Sequence, residues 1–127
     1  MIVRRALVAV VDDDESLRES LPDLLTQLGY AVRAFASAEE FLVSDCVFKT
    51  RCLILDIVMP GMTGLDLQLE LTVRGQEIPI VFITAQAEDT VRRRALEQGA
   101  VECLFKLFSD TDLLEALNAA VPVSSVN

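Results

Sequence analysis

Cys52-Leu53-Ile54-Leu55-Asp56-Ile57-Val58-Met59-Pro60 is the stretch on which the reading of this chain turns. The run Cys52–Leu55 is apolar without alternation, which is how a strand buried on both faces reads. A carboxylate, Asp56, stands directly after it. Two other runs, Ala6–Val11 and Ile80–Ile83, share this continuous character and are followed by Asp12 and Thr84. Further runs cover Ala31–Phe35 and Val101–Phe105, the latter followed by Lys106.

Helical patterns fill the gaps. Leu17, Leu21, Leu24, Leu25 and Leu28 fall at helical spacing, with Gly29 as a C-terminal stop. Pro22 removes one hydrogen bond inside that pattern and predicts a kink or a late start of the regular helix. Ser37 with Glu40 reads as a capping box before Phe41 and Leu42. Gly64–Arg74 carries Leu65, Leu69 and Leu71, and Thr90–Gln98 carries Val91, Ala95 and Leu96 before Gly99. Ser109 with Asp112 opens a last helix through Leu113, Leu114 and Leu117, closed by Pro122. Strands alternating with helices predict an α/β fold with a parallel sheet and right-handed crossovers.

A chain of 127 residues, 52% hydrophobic, suits one compact domain with a substantial core. Its net charge of −9 argues against direct binding of nucleic acid by this segment, which would need clustered Lys and Arg. Having no histidine, the chain holds no Ser-His-Asp triad, no Cys-His pair, no His-ligated zinc and no phosphohistidine donor. What remains is carboxylate chemistry. Cys46, Cys52 and Cys103 are odd in number and form no CxxC, so they read as small buried hydrophobes in a reducing compartment. The N-terminus is too short and strand-like for a signal peptide, and no apolar run approaches a membrane span. The expected location is cytoplasmic, with no membrane partner.

In an open parallel sheet, ligands bind beyond the carboxyl ends of the strands. There the sequence places Asp12, Asp13 and Asp14 after the first strand, Asp56 after the third, Thr84-Ala85 after the fourth and Lys106 after the fifth. Gathered carboxylates repel one another and raise each other's pKa unless a cation intervenes. Mg²⁺ suits such a set, since it takes one or two carboxylates together with waters and phosphate oxygens. A carboxylate can attack phosphorus to give an acyl phosphate. A lysine and a hydroxyl can then neutralise and hydrogen-bond the phosphoryl oxygens. Asp14 and Glu15 read instead as a helix N-terminus.

Val11-Asp12-Asp13-Asp14, Asp56-Ile57-Val58-Met59-Pro60 with Gly64, Thr84-Ala85 and Lys106 together resemble the response-regulator receiver family. The resemblance spans Val3–Val121, with residues 1–121 taken as the receiver and 122–127 as a tail or the start of a linker. It implies a flavodoxin-like doubly wound sheet of five strands in order 2-1-3-4-5, with five helices. It also implies Asp56 as phosphoacceptor, Asp13 as direct metal ligand and Asp12 as a ligand mainly through water. The Val58 backbone carbonyl would complete the protein's share of the Mg²⁺ coordination. Thr84 would be the switch hydroxyl and Lys106 the phosphoryl-binding lysine. Val58 and Gln86 would tune loss of the phosphoryl group. The implied donor is a phosphohistidine on a sensor histidine kinase. The implied output is a switch of the face formed by the fourth helix, fifth strand and fifth helix, with a homodimer on phosphorylation and an output domain beyond Asn127 as further expectations. Such a domain is not an enzyme, catalysing only its own phosphorylation and dephosphorylation.

Two positions depart from the family pattern. Proline usually follows the lysine across a cis bond; here Leu107 does, and a cis bond before a non-proline residue costs roughly 2.5–4 kcal/mol, so a trans bond and a shifted loop Lys106–Ser109 are predicted. The family's swinging aromatic, three residues before the lysine, is here Cys103, and Phe105 on the same face is the candidate replacement. Arg92, Arg93 and Arg94 read as a solvated helix face or as a docking surface for Asp110, Asp112 and Glu115 of another copy. Three rivals stand beside the receiver. A receiver-like interaction module that is never phosphorylated would fit the two departures. A haloacid-dehalogenase-type phosphatase would use Asp12-x-Asp14 but lacks a later acidic pair and leaves Asp56 unexplained. A flavin module would meet repulsion from the three aspartates.

Overall fold

The computed structural model describes residues 5–85, 89–106 and 108–121. Five strands, β1 (Leu7–Val11), β2 (Ala31–Phe35), β3 (Thr50–Asp56), β4 (Ile80–Thr84) and β5 (Glu102–Phe105), alternate with five helices. The helices are α1 (Glu15–Gln27), α2 (Ala38–Leu42), α3 (Gly64–Val73), α4 (Asp89–Glu97) and α5 (Asp110–Ala120). All strand pairs are parallel and the order is β2-β1-β3-β4-β5. The predicted flavodoxin-like sheet is therefore the observed one.

Strand alternation divides the core into two layers. Ala9, Val11, Leu53, Leu55 and Phe82 face α2, α3 and α4 through Phe41, Leu67, Leu71 and Ala95. Val8, Val10, Cys52, Ile54 and Ile83 face α1 and α5 through Leu21, Leu25, Leu113 and Leu117. The central strands are almost wholly buried because both faces are covered, with Arg51 near the start of β3 exposed and Leu7 of β1 partly buried, and β2 at the edge is largely accessible. The three cysteines are buried and free, and burial pushes the Cys52 thiol up to about 12, as fits a packing residue.

Element ends follow local chemistry and correct several expectations. Asp56 and Thr84 are the last residues of their strands, not the residues after them. Helix α1 starts at Glu15 with Asp14 as its N-cap and continues across Pro22, so the late start is not seen. Ser37 accepts from Glu40 N–H at 3.1 Å, which is the first half of the expected box. The Ser109–Asp112 capping box is complete, and a second one, Thr63–Asp66, was not anticipated. A 3₁₀ turn at Asp45–Phe48, capped by Ser44, was also missed. Gln86, the Lys106–Leu107 bond and the tail 122–127 lie outside the described residues. Among the described residues, no helix is long and apolar enough to cross a membrane.

Candidate phosphoacceptor and metal site

Sheet register brings the acids together. Val11 pairs with Leu55, so the next residues, Asp12 and Asp56, stand side by side at the rim. Asp13 follows at the start of the loop to α1, and one carboxylate oxygen from each of Asp12, Asp13 and Asp56 lies within 4.8 Å of the others. Asp12 is fully buried, Asp56 is 3% exposed and Asp13 is open to solvent. This geometry suits a small divalent cation reached from the solvent side.

The neighbouring groups fix the two buried carboxylates in distinct ways. Asp12 Oδ1 accepts the Asp14 N–H at 2.8 Å. Asp56 Oδ1 accepts the Val58 N–H at 3.2 Å. Their second oxygens share one cation: Lys106 Nζ lies 3.3 Å from Asp12 Oδ2 and 3.3 Å from Asp56 Oδ2. The contact to Asp56 is a hydrogen bond, whereas Asp12 Oδ2 receives none among the described residues. A buried, under-bonded carboxylate oxygen is costly, and a bound cation would satisfy it.

Electrostatics reflects this crowding. Burial and the Asp12 charge push the Asp56 carboxyl up to about 7, against the opposing pull of Lys106 and the Val58 N–H. Burial alone would lower the Lys106 pKa, but Asp56 and Asp12 outweigh it and raise it. Asp56 thus titrates close to neutrality, and added positive charge would favour its ionised form.

Thr84 is buried at the end of β4, and its carbonyl accepts the Lys106 N–H at 2.7 Å. It pairs in register with Phe105 at the end of β5. Structure therefore gathers Asp12, Asp13, Asp56 and Lys106 at one point, with Thr84 one step along the same rim. Val58 follows Asp56 by two residues and is exposed. Gly64, which opens α3, donates to Ile57 O at 2.9 Å. A Cβ there would overlap the Asp56 carbonyl oxygen and stand 2.9 Å from Ile57 Cα.

Two contacts at the site had no visible sequence signal. Arg18 Nη1 donates to the Asp12 carbonyl at 2.9 Å, and Glu39 reaches the loop after β3 from a position 23 residues away. Arg92, by contrast, pairs with Glu102 of its own chain at 3.3 Å across a half-exposed surface, leaving Arg93 and Arg94 as the solvated part of the basic run. Asp110 and Asp112 sit in the first turn of α5, which removes the later acidic pair a haloacid-dehalogenase-type site would need.

The profile of the response regulator receiver domain matches residues 8–118. The chain belongs to that family. This receiver is similar to Nodulation protein W of Bradyrhizobium diazoefficiens, at 46% identity over 91% of this chain and 51% of that protein. It is also similar to the transcriptional regulatory protein TdiR of Thauera aromatica, at 39% identity over 92% of this chain and 52% of that one. The receiver thus spans about half the length of these relatives. Among solved structures, FixJ-N superposes with a TM-score of 0.83 at 35% identity, covering 94% of this chain and 95% of the other.

Proposed function

We propose that this receiver takes a phosphoryl group onto Asp56, with Mg²⁺ held by Asp12, Asp13, Asp56 and the Val58 carbonyl. The observation that carries the reading is the convergence of three carboxylates within 4.8 Å around a lysine that touches two of them. The donor is a phosphohistidine of a sensor histidine kinase: its P–N bond breaks as a P–O bond forms to Asp56, and the electron pair leaves with the imidazole. Mg²⁺, when bound, neutralises charge on the transferring phosphoryl oxygens and favours the ionised nucleophile. Lys106 offers its ammonium to the same oxygens, and Thr84 offers its hydroxyl. The receiver acts on itself and on no external substrate.

The output reading follows the same rim. Phosphorylation draws Thr84 inward, and Phe105, its register partner, shifts with α4 and β5 in place of the aromatic that Cys103 does not supply. Structures with and without a phosphoryl mimic test this: an unmoved Phe105, α4 and α5 would refute it. Homodimerisation through α4 and α5 is the further expectation. A triple Arg92→Glu, Arg93→Glu, Arg94→Glu variant that keeps its phosphorylated oligomeric state would exclude docking there.

The direct test is intact mass after incubation with Mg²⁺ and acetyl phosphate. One added phosphoryl, absent in Asp56→Asn, is the expected result. No adduct on the native chain would favour the unphosphorylated interaction module, and turnover that survives Asp56→Asn but is lost in Asp12→Asn would favour a phosphatase.

A further inference from the structure

We propose that Glu39 is a positioning residue for the metal site: from α2, its carboxylate holds the loop between β3 and α3 in the conformation that presents the Val58 carbonyl. This rests on the reading of Asp12, Asp13, Asp56 and Val58 as cation ligands. Glu39 touches no ligand itself and acts through the loop.

The loop is anchored at both ends. Near β3, Val58 N–H donates to Asp56 Oδ1 at 3.2 Å and the Met59 side chain is buried against the α2–α4 layer. Near α3, the Thr63–Asp66 capping box fixes the helix start. Between these anchors, Met62 N–H donates to Glu39 Oε2 at 3.1 Å. Among the described residues it is the one hydrogen bond that ties 59–62 to another element. Gly61 sits at φ +74°, and a Cβ on it would stand 2.9 Å from Glu39 Oε2. The carboxylate therefore lies against two consecutive loop residues, at a point where the backbone needs glycine both for its conformation and for close approach. Without this latch, cation binding would itself have to order the loop, and affinity would fall by that cost.

The experiment pairs two readouts on the full chain: hydrogen exchange of the Met62 amide in the metal-free protein, and the Mg²⁺ Kd by titration. Glu39→Ala should raise both the exchange rate and the Kd by about three- to tenfold, as expected for loss of one exposed hydrogen bond to a charged acceptor. Glu39→Gln keeps an acceptor oxygen and should stay within about twofold of the native chain on both. Gly61→Ala should move both in the direction of Glu39→Ala. Faster Met62 exchange with an unchanged Kd would overturn the positioning role, and unchanged exchange would overturn the latch. A Glu39→Gln variant that weakens Mg²⁺ as much as Glu39→Ala would assign the effect to charge and overturn positioning as well. A native chain that fails to bind Mg²⁺ would overturn the metal-site reading together with this proposal, whereas a native chain that binds beside an unaffected Glu39→Ala overturns the proposal alone.

Discussion

The β1–β3 half of the rim and the β4–β5 half are built on opposite terms. At β1–β3, Asp12 and Asp56 are buried side by side: one oxygen of each accepts a backbone N–H and the other lies 3.3 Å from Lys106 Nζ, a hydrogen bond for Asp56 and an ion pair alone for Asp12 among the described residues. At β4–β5, Phe105 is 42% exposed, Phe108 is half-buried and the Arg92–Glu102 pair is open to water. The first half holds two buried carboxylates against a single lysine, so a small change in charge there has a large energetic effect. The second half has little packing to lose when it rearranges, which suits a surface that reports a change made elsewhere.

The most drastic way to break this contrast is Asp56→Asn. It should abolish the phosphoryl adduct completely by intact mass. It should also stabilise the metal-free chain by about 2 kcal/mol in urea titrations, because one of two repelling buried carboxylates is gone. Lys106→Met should do the reverse. It leaves Asp12 and Asp56 without their shared cation and should cost about 2 kcal/mol in EDTA, less than for a fully buried pair because Nζ is partly solvated. Millimolar Mg²⁺ should recover most of that loss if a cation can replace the ammonium.

A pH series sharpens the same comparison. Asp56 moves from an ordinary 3.8 to about 7 on folding, so the folded chain holds this proton more tightly than the unfolded one. Its contribution to stability is complete below 3.8, declines as the unfolded chain ionises first, and is lost as pH rises through about 7. Metal-free unfolding between pH 4 and 8 should therefore show a falling component that is missing in Asp56→Asn. Phe105→Ala gives the smallest effect. With much of its ring already in water, it should shift stability by less than about 1 kcal/mol in the same titration, whereas truncation of a buried Phe costs about 3–5 kcal/mol.

Where sequence was informative, one physical signal dominated. Continuous apolar runs exposed β1, β3 and β4 because strands covered on both faces have no polar alternation. The acids could then be placed at one rim, since parallel register converts strand ends into neighbours. The 3₁₀ turn at Asp45–Phe48 escaped because it is too short for periodicity, although Ser44 before Asp45 was an available capping signal. Thr63-x-x-Asp66 carries the capping-box signal in its spacing, with Asp in place of the usual Glu or Gln. The double contact of Lys106 with Asp12 and Asp56, the Arg18 contact and the Glu39 contact depend on tertiary placement. No local pattern encodes them.

Gly64 gives the rim one more property. Helix α3 and the end of β3 close to hard contact there, leaving no room for even a methyl group beside the Asp56 carbonyl. Any alkyl substituent must pry helix from strand and shift the end of β3, where Asp56 stands. A randomised library at that codon, sorted for the proposed phosphoryl uptake, should return the native residue alone, so this site acts as a steric gauge on the strand–helix junction beside Asp56.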